Sequence, residues 1–461
     1  MRIVKPTFYD RFVCIADACD FTCCQEWKIA VDDETYKKWK KVKPPQGVKT
    51  RKTNLTRYTC FKEGQRVIDL DQNHKCPFLD EHKLCRLVRE YGEDMISETC
   101  QIFPREIHEF EDGKEYTLMP CCPVTVDFLS EGRFETIECQ TPEATTECQT
   151  PEESTGCQIP EASTRCQTPE ESTGCQTQEA GTECQTQEAG TECQTQEAST
   201  ECQTQEASTE CQTQEASTGN LKNLRGLRKV FMEIQGNPDF SLEEALLTNF
   251  YLMLDEFKQW EENYDENLPE DEIMPYQMFH SAEELLFYSH EIQETIKGLT
   301  FDDEACFGEC NNLFLDLIDN YRIQHIYDGY LQELAAFAEE FINEKERFNY
   351  HEFKGVWSQY ENLMRNFLLQ ELYADLLIPG ADLEGALVKL QWISMEYVAI
   401  RHLCFLSYKL KGSLDYNAVR DYIVLVSRIM GYEEDDIYDY LESMFEDLVW
   451  DWGYMALIVG K

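Results

Sequence analysis

From about position 138 to 216 the chain repeats ECQTQEAST and close variants every nine residues, with cysteines at 139, 148, 157, 166, 175, 184, 193, 202 and 211. A fixed period can build a solenoid, but each solenoid repeat must bury an apolar face against its neighbours. This repeat offers Gln, Thr, Glu, Ala, Ser and one Cys, with Ile159 as the exceptional branched aliphatic residue. Such a composition cannot offset the entropy of ordering it. Residues 137–219 are therefore expected to be a disordered linker, leaving 1–136 and 220–461 as the parts that fold. Nine evenly spaced thiols could serve as a metal or redox tether, but the near-identical copies look like tandem duplication.

With those nine thiols set aside, thirteen of the 22 cysteines remain, and their distribution is uneven. Cys14, Cys19, Cys23, Cys24, Cys60, Cys76, Cys85, Cys100, Cys121 and Cys122 precede position 123, whereas Cys306, Cys310 and Cys404 lie in the second folded part. The start MRIVKPTFYDRF has no apolar signal core, and no apolar run is long enough to span a bilayer. These features predict a cytoplasmic chain with no membrane partner, in which clustered thiols coordinate metal or do chemistry before they form disulfides.

The formal charge of −47 is also unevenly distributed. Residues 1–136 carry 22 basic against 24 acidic groups, 137–219 carry 1 against 17, and 220–461 carry 18 against 47, giving −2, −16 and −29. Such a surface repels nucleic acid and favours Lys- or Arg-bearing partners; it also serves solubility.

Residues 220–461 read as helices. Ser241-x-x-Glu244 and Ser281-x-x-Glu284 are capping-box patterns ahead of apolar runs. Tyr360, Leu363, Met364 and Phe367 follow helical spacing, as do Ile437, Tyr440, Leu441, Met444, Phe445 and Leu448. Six to nine packed helices are expected, with Cys306 and Cys310 as buried thiols and not a metal half-site. Residues 1–136 mix short helices and loops: a loop between Cys76 and Cys85, a helix carrying Leu84, Leu87, Val88 and Tyr91, and a further turn presenting Cys100 before Pro104. The fold class is thus mainly α: a small Cys-rich metal-binding N-terminal domain (1–136), a disordered nine-residue-repeat linker (137–219) and an acidic all-helical C-terminal domain (220–461).

Thiolates suit zinc and iron–sulfur clusters. Cys19-x3-Cys23 has knuckle spacing, and Cys76-Pro77 and Cys122-Pro123 are Cys-Pro pairs of the kind found beside clusters. Adjacent side chains in extended backbone point oppositely, so Cys23 and Cys24 can serve one centre only from a turn or helix start. His74 and His82 flank these loops and read as solvated histidines more readily than as ligands. No dinucleotide-binding G-x-G-x-x-G, P-loop or G-x-S-x-G elbow is present.

The run from Cys14 through Cys19, Cys23 and Cys24 to Trp27 resembles the opening motif of the flagellin lysine N-methylases, which share a zinc- or iron-chelating Cys-rich domain. Later blocks agree in order: Cys76-Pro77-Phe78-Leu79, Leu84-Cys85-Arg86, Tyr91-Gly92-Glu93, Thr99-Cys100, Phe103-Pro104-Arg105 and Cys122-Pro123. The resemblance implies methylation of lysine ε-amines on flagellin with S-adenosylmethionine as donor. It also implies an iron–sulfur centre of 4Fe–4S type, with zinc as the alternative, held by a subset of Cys19, Cys23, Cys24, Cys85, Cys100, Cys76, Cys14 and Cys122. Arg105 could contact the donor carboxylate or pair structurally; no catalytic base is identifiable. The competing expectation is a metal-stabilised interaction or redox protein without methylase activity. Two features depart from the pattern. The repeat interrupts a connection expected to be much shorter, and Glu26 stands where a C-x3-C-x2-C motif needs its third cysteine.

Overall fold

The computed structural model describes residues 1–48, 53–62, 64–140, 220–263, 276–300, 302–341, 350–431, 437–438, 440–441 and 451–460. The described residues before and after the repeat belong to one compact unit. The expectation of disorder in the repeat falls on residues outside those described, as does the stripe continuing through Met444, Phe445 and Leu448.

The N-terminal part contains strands as well as the short helices and loops read from its sequence. Strands β1 (Arg2–Pro6), β2 (Thr59–Lys62), β3 (Gln65–Ile68), β4 (Arg105–Phe110), β5 (Gly113–Leu118) and β6 (Thr136–Gln140) form a four-stranded sheet, ordered β4-β5-β1-β6, and a separate β2-β3 hairpin. β1 runs parallel to β5, with Arg2 opposite Gly113, and antiparallel to β6, with Arg2 opposite Gln140. Gly113 permits this close approach, because a Cβ there would collide with the Arg2 carbonyl. β6 takes in Cys139, the first repeat cysteine, so order continues a few residues into the repeat's edge. Around these strands lie α1 (Asp33–Trp39), α2 (Arg86–Tyr91), α3 (Glu98–Ile102) and α4 (Pro123–Leu129), the last with proline in its first turn, where a missing N–H costs nothing.

The second part is helical among its described residues. It comprises α5 (220–236), α6 (Leu242–Asn263), α7 (Ala282–Lys297), α8 (Asp303–Ile323), α9 (Asp328–Phe341), α10 (Tyr350–Trp357), α11 (Glu361–Ala374), α12 (Leu383–Lys411), α13 (Tyr416–Ile429) and α14 (Trp452–Val459). Both capping boxes form. Ser281 Oγ accepts from Glu284 N at 3.3 Å while Glu284 accepts from Ser281 N at 2.8 Å, and Ser241 and Glu244 exchange the same pair at 3.1 and 3.2 Å. α12 is the central element. It packs against α6, α8, α9, α11, α13 and α14, and nearly every side chain from Leu383 to Ser407 is buried. A helix enclosed on all sides shows no amphipathic stripe. Asp382 caps its start through Gly385 N at 2.8 Å, and Gly412, at φ +73°, ends it in the left-handed conformation that favours glycine. No helix among the described residues is long and apolar enough to cross a membrane.

One hydrophobic core spans both parts: Val4, Phe8, Phe12, Phe21, Leu118 and Val126 pack with the side chains of α5–α14. Polar contacts reinforce the junction. Glu115 on β5 pairs with Arg228 of α5 at 2.8 Å, Tyr373 of α11 donates to Val4 O at 3.0 Å, and Asn366 donates to Leu129 O at 2.8 Å. A second, smaller core of Ile29, Val31, Trp39, Leu55, Tyr58, Phe78 and Leu87 underlies the cysteines, with Cys24, Cys85 and Cys100 packed on it.

Candidate functional site

Five of the expected metal-ligating residues converge, and local hydrogen bonds explain how. Cys23 and Cys24 lie in a turn, as joint service at one centre requires. Thr22 Oγ1 accepts from Cys24 N at 3.2 Å, and Trp27 Nε1 donates to Cys23 O at 2.5 Å. Cys76 N donates to Cys24 O at 2.8 Å, joining the opening loop to the second block. Asp80 then shapes the loop to Cys85 by accepting from His82 N at 2.8 Å and Leu84 N at 2.9 Å. Cys85 stands at the N-cap position of α2 without a side-chain capping bond, and the Ser97 side chain caps α3 by accepting from Cys100 N.

The thiols of Cys23, Cys24, Cys76, Cys85 and Cys100 are close enough to repel one another when ionised. A hydrogen bond from the Cys24 thiol, with help from the Arg428 charge, pulls Cys23 down to about 7 despite its burial; the same bond pushes Cys24 up. Burial pushes Cys100 up to about 11 and raises Cys76 and Cys85. An all-sulfur set with one thiol already close to thiolate is chemically suited to zinc or an iron–sulfur centre. Among the described residues, no three Cys, His, Asp or Glu side chains are spaced to grip one ion as they stand.

The remaining expected residues are placed elsewhere. Cys19, whose thiol donates to Phe21 O at 3.1 Å, neighbours Cys23 of the converging set as well as the exposed Cys14 and the buried Cys122. The Arg105 guanidinium stacks over the Phe12 and Tyr9 rings, 4.9 and 5.7 Å from their centroids. His74 Nε2 meets Gln324 O at 2.8 Å, and the His82 side chain is exposed.

Arg428, on α13, is not singled out by its sequence, yet it stands between the two thiol groups. Its Nε donates to Cys121 O at 3.0 Å and its Nη2 to Phe21 O at 3.0 Å, and its charge acts on Cys19, Cys23, Cys121 and Cys122. Beside it, Tyr327 donates to Glu26 O at 3.2 Å, and Glu26, held at φ +65°, donates its N–H to His74 O at 2.8 Å. The C-x3-C-C stretch is therefore clamped by residues of the helical part.

A group of acids lies nearby: Glu106 on β4, Glu371 on α11, Asp375 just beyond α11, and Glu396 on α12. Glu371 and Glu396 are buried, at 3% and 5% exposure. Burial first, then repulsion by Asp375, raises both, Glu396 to about 8. Burial and Glu106 raise Asp375. His108, 3.4 Å from Glu106, is raised by that carboxylate against the effect of burial. Cys121 borders both Glu106 and Glu371, linking this group to Arg428.

The family model described as the FliB lysine N-methylase C-terminal domain matches residues 228–458, half of the chain. The chain belongs to the FliB lysine N-methylase family. The matched segment carries Glu371, Asp375, Glu396 and Arg428, whereas the converging thiols precede it. The chain is 30% identical over 134 residues to a lysine-N-methylase of Salmonella typhimurium, covering 27% of this chain and 31% of that protein. It is 29% identical over 134 residues to the flagellar biosynthetic protein FliU of Salmonella muenchen, covering 27% of this chain and 73% of that protein. The match thus spans about a third of the Salmonella typhimurium relative's length. No solved structure matches at a significant level. Within the FliB family reading, the acids and Arg428 are what sequence inspection missed. The available signal was a charged residue inside an otherwise apolar run, as in FLLQELYADLL and LVKLQWISMEYVAI.

Proposed function

We propose that this chain is a cytoplasmic protein-lysine N-methyltransferase that modifies flagellin with S-adenosylmethionine as methyl donor. The observation that carries this reading is the family match over 228–458; the same segment sets Arg428 on the Phe21 and Cys121 carbonyls and Glu371 near Cys121. The charge of −29 on residues 220–461 suits approach to a lysine-bearing surface.

When bound, the sulfonium donor supplies an electrophilic methyl group. The chain must hold the donor, desolvate a lysine side chain and remove its proton, since an ammonium has no lone pair to attack with. The converging thiols Cys23, Cys24, Cys76, Cys85 and Cys100 are the residues we assign to an iron–sulfur centre, with zinc as the alternative. Protein purified without oxygen is expected to contain iron and sulfide, and Cys23→Ser and Cys76→Ser to lose them; stoichiometric zinc without iron would contradict the iron–sulfur assignment. The activity itself is tested by label transfer from methyl-labelled donor to flagellin. Label in flagellin supports the reading. Unlabelled flagellin in the presence of folded, metal-loaded protein would leave the interaction or redox reading in its place.

A further inference from the structure

The acids on β4, α11 and α12 differ from the other buried acids of the fold. Glu115 is neutralised by Arg2, Arg225 and Arg228 at 3.3, 3.1 and 2.8 Å. Glu256 accepts from Tyr276 Oη, Phe279 N, His280 N and His280 Nδ1, at 2.7 to 3.2 Å. Glu371 has no cation or amide beside it: its carboxyl shares a hydrogen bond with another acid, Asp375, and its Oε1 is buried with no hydrogen-bond partner. An orphaned buried acceptor is costly and uncommon.

The positions of these residues bring them together. Glu371 and Asp375 are four residues apart, and Lys389 and Glu396 are seven apart on α12, so each pair shares a helical face. Glu106 and His108 are two apart on β4 and point to one side of the sheet. α11 packs on both α12 and β5, and β5 pairs with β4. The charged and titratable groups that meet are Glu106, His108, Glu371, Asp375, Lys389, Glu396 and Cys121, with the Ser427 hydroxyl beside Glu396. Four carboxyls thus face one lysine and one histidine. Asp375 and Lys389 are partly exposed, whereas Glu371 and Glu396 are buried.

An alkylammonium presents three N–H donors and one positive charge, which is what this group lacks. We infer that Glu371, Asp375 and Glu396, backed by Glu106, form the recess that receives the ε-ammonium of the substrate lysine, with Glu371 Oε1 as an acceptor. This rests on the methyltransferase reading. With the recess empty, burial and mutual repulsion favour the protonated carboxyls. An entering ammonium favours their ionised forms, so protons leave to solvent. A carboxylate then takes one proton from the ammonium, giving a carboxylic acid and a neutral amine. The amine lone pair forms the new N–C bond while the C–S bond of the sulfonium donor breaks, its electron pair remaining on sulfur. The positive charge passes to the methylated ammonium, and the carboxylic acid returns its proton to solvent.

The test compares wild type with the volume-conserving variants Glu371→Gln and Glu396→Gln, and with Asp375→Asn on the half-buried side. Methylation is followed across pH, donor binding by calorimetry, and n-propylammonium binding by equilibrium dialysis. Glu371→Gln should keep donor affinity, lose n-propylammonium binding and fall about 100-fold or more in methylation rate, the usual size of a general-base contribution. Glu396→Gln should displace the rising limb of the pH–rate profile. An active wild type whose three variants keep its rate, pH profile and amine binding would overturn the recess and leave the methyltransferase reading intact. A wild type that binds n-propylammonium but transfers no methyl would retain the recess and overturn that reading.

Discussion

Arg428 acts as one cation for two segments that precede it by 407 and 307 residues. Its donors end on carbonyls of Phe21 and Cys121, and its charge favours a thiolate at Cys23. Arg428→Met should strand those carbonyls and cost about 3 kcal/mol. Arg428→Lys should restore only part of that, because an ammonium cannot span both partners; urea denaturation at neutral pH checks both. A second residue-scale outcome concerns pH. Glu396 is raised from an ordinary 4.5 to about 8, so the folded state holds its proton over a range where the unfolded chain has lost it. Its favourable contribution is complete below about 4.5 and is lost as pH rises through about 8. Glu396→Gln should flatten that decline, leaving the variant more stable than wild type on the alkaline side, as read from denaturation midpoints across pH. At this scale the cysteines were legible in the sequence because their spacing is local and their chemistry narrow. Arg428, Glu371 and Glu396 were not, because each gains its meaning only from partners on other elements.

Among the elements, whatever depends on near neighbours could be read directly. The two capping boxes, the helix that presents Leu87 and the turn at Cys23 and Cys24 each follow from a few adjacent residues. The four-stranded sheet could not be read this way, since β1 pairs with strands more than a hundred residues away. Its short strands also carry no strict alternation. β4 reads Arg-Glu-Ile-His-Glu-Phe, and its two inward polar residues belong to the acid group and not to an apolar core. α12 hides its role in another way: enclosure on every side removes the stripe by which a helix announces its buried face. The β1–β5 pairing depends on Gly113, whose missing Cβ admits the Arg2 carbonyl. Gly113→Ala should therefore cost about 1–3 kcal/mol through overpacking. A lower thermal midpoint, with helical circular dichroism unchanged before the transition, is the expected result; an unchanged midpoint would contradict the pairing.

Over the whole molecule, the repeat that dominates the sequence divides the chain without dividing its core. Residues on both sides share one hydrophobic cluster, and Glu115–Arg228, Tyr373–Val4 and Asn366–Leu129 join them. Deleting residues 142–210 should leave the melting transition, metal content and methylation unchanged. Residues 220–461 expressed alone should aggregate, since the N-terminal partners of Arg228, Asn366 and Tyr373 would be gone. This arrangement sets Arg428 between the Phe21 and Cys121 segments, with Glu106 and Glu371 near Cys121. The most direct measurement is peptide mass mapping of flagellin after incubation with S-adenosylmethionine and protein purified without oxygen, with wild type and Glu371→Gln run in parallel. The expected result is lysine-containing peptides heavier by one or more methyl groups with wild type and nearly unmodified with Glu371→Gln. Unmodified flagellin with folded, metal-loaded wild type would contradict the methyltransferase reading.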